Sequence, residues 1–350
     1  MNVFVRQFHK AVNVTRTFLS LDENTRRWNA LRNAYNGQRV FLIGNGPSLN
    51  ETPLFLLKGE LTLCFNRFHL LHERLSWSPY FYMCIDPAVL PDMAAELNEH
   101  ASQYRYLCVH SQHAGAIIKR NNVLLMHPVA RVPYFSRRLP LFASGGTVAY
   151  AGLQMLMFAG FTTIYLVGVD QNYVIHRSAV PTHGIRVESQ HDDDPNHFDP
   201  RYFGKGRTYH QPVEATRVRM RRSFTRARDI AVNRGIVIRN AGIGGQLEVF
   251  ERVDFLGLFA FSRDEEYQLL AESVSSACRP ERLRAYIENG RVKENLSASI
   301  SDGMFLVESE LGKKWIPRLI TRYVPFGPIQ GRFLFIRREE RRALVAQAFE

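Results

Sequence analysis

Gly44-Asn45-Gly46-Pro47-Ser48-Leu49 directly follows the apolar run Val40-Phe41-Leu42-Ile43. A glycine turn between a strand and a helix lets backbone N–H groups approach a phosphate, and the helix N-terminus adds partial positive charge. Gly44, Asn45, Gly46 and Ser48 are therefore candidate ligands for a nucleotide phosphate. Leu49 stands where the dinucleotide fingerprint has its third glycine, and no Gly-Lys-Ser/Thr follows, so the turn is neither that motif nor a P-loop. A plain tight turn would carry the same residues. Asn66 and Asp86 also follow short apolar runs, and Asp170 follows the run at residues 164–167. In an open parallel sheet, ligands bind outside the carboxyl ends of the strands. Asn45, Asn66 and Asp86 would then line one crevice, with Asn66 able to read a base or ribose edge. Asp170 could cap a loop, hold a ribose hydroxyl or hold a metal. Each has an ordinary alternative: Asn66 as a turn residue, Asp86-Pro87 as an N-cap followed by proline.

Proton chemistry points to the polar stretch at residues 171–212, rich in His, Asp, Pro, Gly and Tyr. His197 and His210 lie in NHFDPRYFGKGRTYH, residues 196–210, beside Tyr202, Tyr209, Lys205 and Arg207. Histidine moves protons near neutral pH, and basic and tyrosyl groups suit a departing phosphate. His210, at the end of the stretch, is the expected base, with His197 its rival and His176, His183 and His191 weaker ones. Asp192-Asp193-Asp194 resembles the paired acids that hold Mg²⁺ in many sugar transferases, although a short acidic run is more often a solvated face.

These groups need a scaffold. Short apolar runs at 61–65, 80–85, 106–109, 123–126, 163–167 and 236–238 read as buried strands. Helix-like stretches at 88–100, 111–120 and 147–159 fall between several of them. The alternation predicts an α/β, Rossmann-like fold, a mostly parallel sheet with helices on both faces. Residues 1–37 form an expected N-terminal amphipathic helical segment, 38–255 the Rossmann-like catalytic domain, and 256–350 a basic C-terminal α+β extension. Residues 171–212 are long for a loop, so a lid is expected, kept ordered by its aromatic residues. A helix over 213–234 carries seven arginines.

The chain has 350 residues, 45% apolar and 22% charged, which excludes a disordered or fibrous chain. No apolar run approaches the roughly 18 residues of a spanning helix. Forty-five basic residues against 33 acidic ones leave +12, pointing to a polyanionic partner. Residues 311–350 hold nine basic and three acidic side chains, a net +6, suited to an anionic membrane face. The four cysteines lack CxxC or zinc spacing and read as reduced core residues. With no cleavable signal evident, a cytoplasmic location is expected, with peripheral contact at the inner membrane face.

The stretches VFLIGNGPSL at 40–49, CFNRF at 64–68, TVAYAGLQMLMFAGFTTIYLVGVD at 147–170, the 196–210 segment and NAGIGGQLEVFERVD at 240–254 resemble one Rossmann-like domain. It is shared by the archaeal 6-hydroxymethylpterin pyrophosphokinase-like family and the bacterial family 42 sialyltransferases, and it also appears in motility-associated flagellin glycosyltransferases. The resemblance covers roughly residues 38–255. It implies a CMP-activated nine-carbon sugar as donor and no required metal. By resemblance, Asn45 meets the phosphate or ribose, Asn66 the sugar or cytidine, Tyr202 or Tyr209 the departing phosphate, and His210 deprotonates the acceptor hydroxyl. The sequence departs from the sialyltransferase pattern at Asp86, where those enzymes carry asparagine. It departs again at Gly145-Gly146, where they carry an arginine, although Arg137 and Arg138 lie just upstream.

The leading expectation is a glycosyltransferase in surface polysaccharide or glycoconjugate assembly, acting on a glycan or glycolipid acceptor. One alternative is a pterin-type pyrophosphokinase using ATP and Mg²⁺, for which Asp86, Asp170 and Asp192–Asp194 are the candidate metal ligands. The other is a nucleic-acid-binding module built on the arginine-rich helix, which no helix-turn-helix or RNA-binding motif accompanies.

Overall fold

Eight short strands make one sheet in the computed structural model: β1 (Arg39–Ile43), β2 (Thr62–Phe65), β3 (Phe81–Cys84), β4 (Tyr106–His110), β5 (Val123–Pro128), β6 (Leu141–Phe142), β7 (Thr163–Val167) and β11 (Val237–Asn240). The structure describes residues 22–259 except 53, 130–134, 184–185 and 211–212, together with the backbone of three strands near the C-terminus. The sheet order is β11-β7-β1-β2-β3-β4-β5-β6, and every pairing is parallel. Strands β1 to β4 are buried almost continuously, without alternation. Val40, Phe41, Leu42 and Ile43 are all fully buried, as a strand covered on both faces requires. The fold is Rossmann-like α/β. The chain runs outward from β1 to β6, then returns to β1's other side with β7, so the order reverses between β1 and β7.

Helices close the faces. α1 (Glu23–Leu31) starts at Asp22, whose Oδ1 accepts from the Thr25 N–H at 2.9 Å, and docks through Trp28, whose Nε1 donates to the Leu125 carbonyl at 2.9 Å. α4 (Val148–Ala159) crosses back from β6 to β7 and is buried from Ala149 to Ala159, which explains its almost wholly apolar sequence. It stops at Gly160, whose φ of 96° is open to a residue without Cβ. α5 (Glu214–Val232) is amphipathic, burying Met220, Ser223, Phe224, Ala227, Ile230 and Ala231.

Four expectations change. Residues 88–100 are two helices, α2 (Val89–Asp92) and α3 (Ala94–His100), separated by Met93 at φ −122°, ψ 19°. Residues 111–120 contain only a 3-10 segment, Ser111–Ala116. The turn after β1 leads not into a helix but into one 3-10 turn, Pro47–Asn50. The polar stretch at 171–212 contains a small antiparallel sheet of β8 (Val180–Pro181), β9 (Arg186–Glu188) and β10 (Thr208–His210). Its interior holds Val187, Phe198, Tyr202 and Tyr209, so aromatic burial orders it despite the missing apolar period.

The chain divides into two compact units, Met1–Gly257 and Leu258–Glu350. In the first, residues 22–37 pack with the sheet domain, while the amphipathic pattern before residue 22 lies outside the described residues. The second contains an antiparallel sheet ordered β12 (Met304–Glu308), β14 (Arg332–Arg337), β13 (Tyr323–Ile329). Most of the C-terminal basic residues, and Cys278, lie outside the described residues. Among the described residues no helix is long and apolar enough to cross a membrane.

Candidate functional site

A cleft of about 410 Å³ opens at the carboxyl ends of β1, β2, β3 and β7, bounded by the 171–212 segment and by the N-terminal ends of α4 and α5. This is the place where the strand order reverses, the usual ligand position in an open α/β sheet. Gly44, Asn45, Gly46, Asn66, Asp86, Asp170, Tyr202, Tyr209 and His210 all line it. Ser48 is not among its walls; it sits behind, buried against Asp170.

The glycine turn owes its form to strand contact. A Cβ on Gly44 would stand 2.3 Å from the Gly168 carbonyl oxygen, so only glycine lets the ends of β1 and β7 meet. The Gly44 N–H donates to the Val167 carbonyl at 2.7 Å and that of Gly46 to the Gly168 carbonyl at 2.8 Å. Ser48 donates its N–H to Asp170 Oδ2 at 2.9 Å and its hydroxyl to Oδ1 at 2.5 Å. The phosphate cradle expected here is thus corrected. An internal carboxylate takes the Ser48 donors, β7 takes the two glycine amides, and a four-residue 3-10 turn offers little of a helix dipole. Asp170 ties the turn after β1 to the end of β7 while still lining the cleft.

Asn45 and Asn66 keep open chemistry. Asn45 Nδ2 donates to the Phe65 carbonyl at 3.2 Å and to the Tyr202 hydroxyl at 3.1 Å. Asn66 adopts φ 49°, a left-handed conformation that asparagine tolerates. The side-chain oxygens of both are buried without a hydrogen-bond partner, leaving two acceptors among the cleft residues. A ligand bringing N–H or O–H donors would relieve that cost. Asp86 behaves as a cap: its Oδ1 accepts from the N–H groups of Ala88 at 2.8 Å and Val89 at 3.3 Å.

The three histidines differ in their partners. His210 is exposed on β10, and its Nε2 accepts from Arg186 Nε at 3.1 Å, so that lone pair is engaged. His176 is buried between Tyr209 and Asp193. Its Nδ1 lies 2.5 Å from the Tyr209 hydroxyl and its Nε2 2.8 Å from Asp193. His197 lines the cleft with its side chain 19% exposed, and its Nδ1 lies 2.8 Å from the buried Asp194. Its ring stacks on Tyr202 at 3.8 Å between centroids. The carboxylate is suited to accept a hydrogen bond from Nδ1–H, the tautomer in which Nε2 keeps the free lone pair. Asp194 is itself held by the N–H groups of Asn196 at 2.9 Å and Phe203 at 3.1 Å. Burial raises the hydroxyl pKa of both Tyr202 and Tyr209, keeping them neutral donors.

The acidic run is dispersed rather than pooled. Asp192 accepts from the Lys205 N–H at 2.8 Å, Asp193 faces His176, and Asp194 faces His197. Among the described residues no group of three or more His, Cys, Asp or Glu is placed to hold a metal ion.

Anion-suited groups lie instead at the start of α4. Thr147 caps that helix without a side-chain hydrogen bond, and Gly146, Thr147, Val148 and Ala149 line the cleft. Arg219 of α5 lines it too, and a Cβ on Gly146 would stand 3.0 Å from its Nε. A guanidinium therefore arrives from another helix where the sequence has only Gly145-Gly146. Arg219 is not distinguished by sequence, being one arginine among seven, and His176 ranks there only as a weaker candidate base. No protein-family model matches the chain, and no curated protein does.

Proposed function

We propose that this chain is a glycosyltransferase that moves a sugar from a nucleotide donor to a hydroxyl of a surface polysaccharide or glycoconjugate. A CMP-linked, sialic-acid-like donor is the form in which we read it, with no required metal. The observation that carries the reading is the carboxylate-held His197 in a cleft also lined by the α4 N-terminus and Arg219, which suit an anion. A sugar hydroxyl is too weak a nucleophile at neutral pH without a base. In this reading His197 Nε2 takes the hydroxyl proton as the oxygen attacks the anomeric carbon. The bond to the nucleotide phosphate breaks, and its electron pair leaves with the phosphate. Tyr202 and Tyr209, kept protonated by burial, and the groups at the start of α4 favour that developing charge. The unpartnered oxygens of Asn45 and Asn66 suit the hydroxyl or amino donors of the nucleotide.

This reading puts the base at His197 rather than His210, because Asp194 orients one ring while Arg186 occupies the other's lone pair. It is also favoured over the pyrophosphokinase alternative. The carboxylates which that reaction would turn on Mg²⁺ are committed to protein hydrogen bonds at Asp86, Asp170, Asp192, Asp193 and Asp194. The reading places the reaction at the cytoplasmic face of a membrane, where glycolipid acceptors are exposed. Incubation with panels of CMP- and UDP-sugars tests it: at least one donor is bound and hydrolysed. His197→Ala then lowers transfer by about a hundredfold to ten-thousandfold, while His210→Ala retains most of it. Failure of every donor overturns the function, and a dead His210→Ala with an active His197→Ala overturns the base.

A further inference from the structure

The outer face of α5 is unusually charged. At 3.6 residues per turn, Arg219, Arg222 and Arg226 form one file and Arg217, Arg221 and Arg228 another. The files flank the arc opposite the buried Met220, Phe224, Ala227 and Ala231. The helix carries only two acids, Glu214 and Asp229, and Asp229 accepts from Arg228 at 2.8 Å. Arg219, Arg221, Arg222 and Arg226 have no carboxylate partner among the described residues. Cations left unpaired at this density repel one another, and a polyanion beside them relieves that repulsion.

Exposed aliphatic side chains accompany the charge. Val213 precedes the helix and Val232 ends it, the latter 70% exposed. Arg217 Nη2 donates to the Tyr173 carbonyl at 2.9 Å, which ties the helix to the segment bearing Val174 and Ile175. Those two are 47% and 73% exposed. Phosphates of a nucleic acid would answer the arginines but give the aliphatic groups no apolar phase. A bilayer answers both, with anionic headgroups for the guanidinium files and acyl-chain boundary for the valine and isoleucine.

We propose that the arginine face of α5, with Val174 and Ile175 beside it, docks this protein on an anionic lipid bilayer. Because Tyr173 and Arg219 also line the cleft, docking brings the cleft mouth to the lipid surface. The inference goes beyond the transfer reaction and rests on charge and exposure alone, so its test needs no donor and no turnover.

The test is co-sedimentation of the full chain with vesicles. The wild type binds mixed phosphatidylcholine–phosphatidylglycerol vesicles, binds phosphatidylcholine vesicles poorly, and releases as salt rises. The combined variant Arg221→Gln, Arg222→Gln, Arg226→Gln, Arg228→Gln leaves the cleft intact and keeps good helix formers. Each arginine lost lowers partitioning about fivefold, so four lower it several hundredfold. The variant Val174→Ser, Ile175→Ser, on exposed positions outside the helix, weakens binding while preserving its salt dependence, and tests the face should the first variant fold poorly. A control with the same charge change, Lys313→Gln, Lys314→Gln, Arg341→Gln, Arg342→Gln, binds far better than the α5 variant. The proposal is overturned if the wild type ignores anionic vesicles, if the α5 variant binds like the wild type, if the control loses binding equally, or if an oligonucleotide outcompetes the vesicles.

Discussion

Acid should weaken this fold through two histidines that do not line the cleft. His69 and His72 lie on the 3-10 segment Asn66–Arg74 and meet His100 at the end of α3, with ring centroids 6.0 Å and 4.9 Å from it. Both ring nitrogens of His72, and Nδ1 of His69, are buried without a hydrogen-bond partner. Burial, with Arg67 and His100 adding repulsion, lowers His69 to about 3; burial, with His100, lowers His72 to about 4. The unfolded chain titrates these groups near 6.5. Below that pH the unfolded state therefore binds protons that the folded state refuses, and stability falls as pH falls toward 4. Between about pH 8 and pH 5, each fully buried ring would cost about 2 kcal/mol, and partial solvent contact halves this to about 1. The pair together should cost about 2 kcal/mol. The window lies above the range where Asp193 and Asp199, whose pKa values are lowered, begin to titrate. Urea unfolding followed by tryptophan fluorescence at both pH values measures the loss. His72→Phe fills the same space with nothing to protonate, so it should remove the roughly 1 kcal/mol that His72 contributes, leaving the shares of His69 and of the likewise buried His127. An unchanged pH effect in that variant would refute the reasoning, since the protons would then be bound elsewhere.

Two further substitutions probe the switch point, and the donor panel and vesicle tests above complete the set. Gly44→Ala forces a Cβ to within 2.3 Å of the Gly168 carbonyl oxygen and should cost about 1–3 kcal/mol or more, read as a fall in Tm. A Tm within error of wild type would show that β1 and β7 can part freely. Ser48→Ala removes one of two bonds to Asp170 and should cost about 1–3 kcal/mol in denaturation. It should barely change the affinity for any nucleotide measured by titration calorimetry, because both Ser48 donors are already bonded to Asp170. A large affinity loss there would restore the turn as a phosphate site.

The amino-acid sequence by itself marked seven of the eight strands of the parallel sheet, all but the two-residue β6. Continuous apolar runs of four or five residues read as buried parallel strands, because a strand covered on both faces has no polar side to alternate with. Residues 147–159 read as a buried helix for the same reason, and the glycines at 44 and 46 read as a tight turn after a strand, though only the structure shows that the close approach there is to Gly168. The arginines of 213–234 were equally plain. The partners were not. Ser48 and Asp170 are 122 positions apart, and nothing local says that a carboxylate will reach the turn before a phosphate can. His197 and His210 share one motif-like stretch, yet only folding sets Asp194 behind the first and Arg186 beside the second. Arg219 reaches the start of α4 because α5 packs against it, a choice made by Met220, Phe224 and Ala227 and not by the arginine. Element identity follows from the period of burial along the chain, whereas the pairing of polar groups follows from which elements that burial brings together.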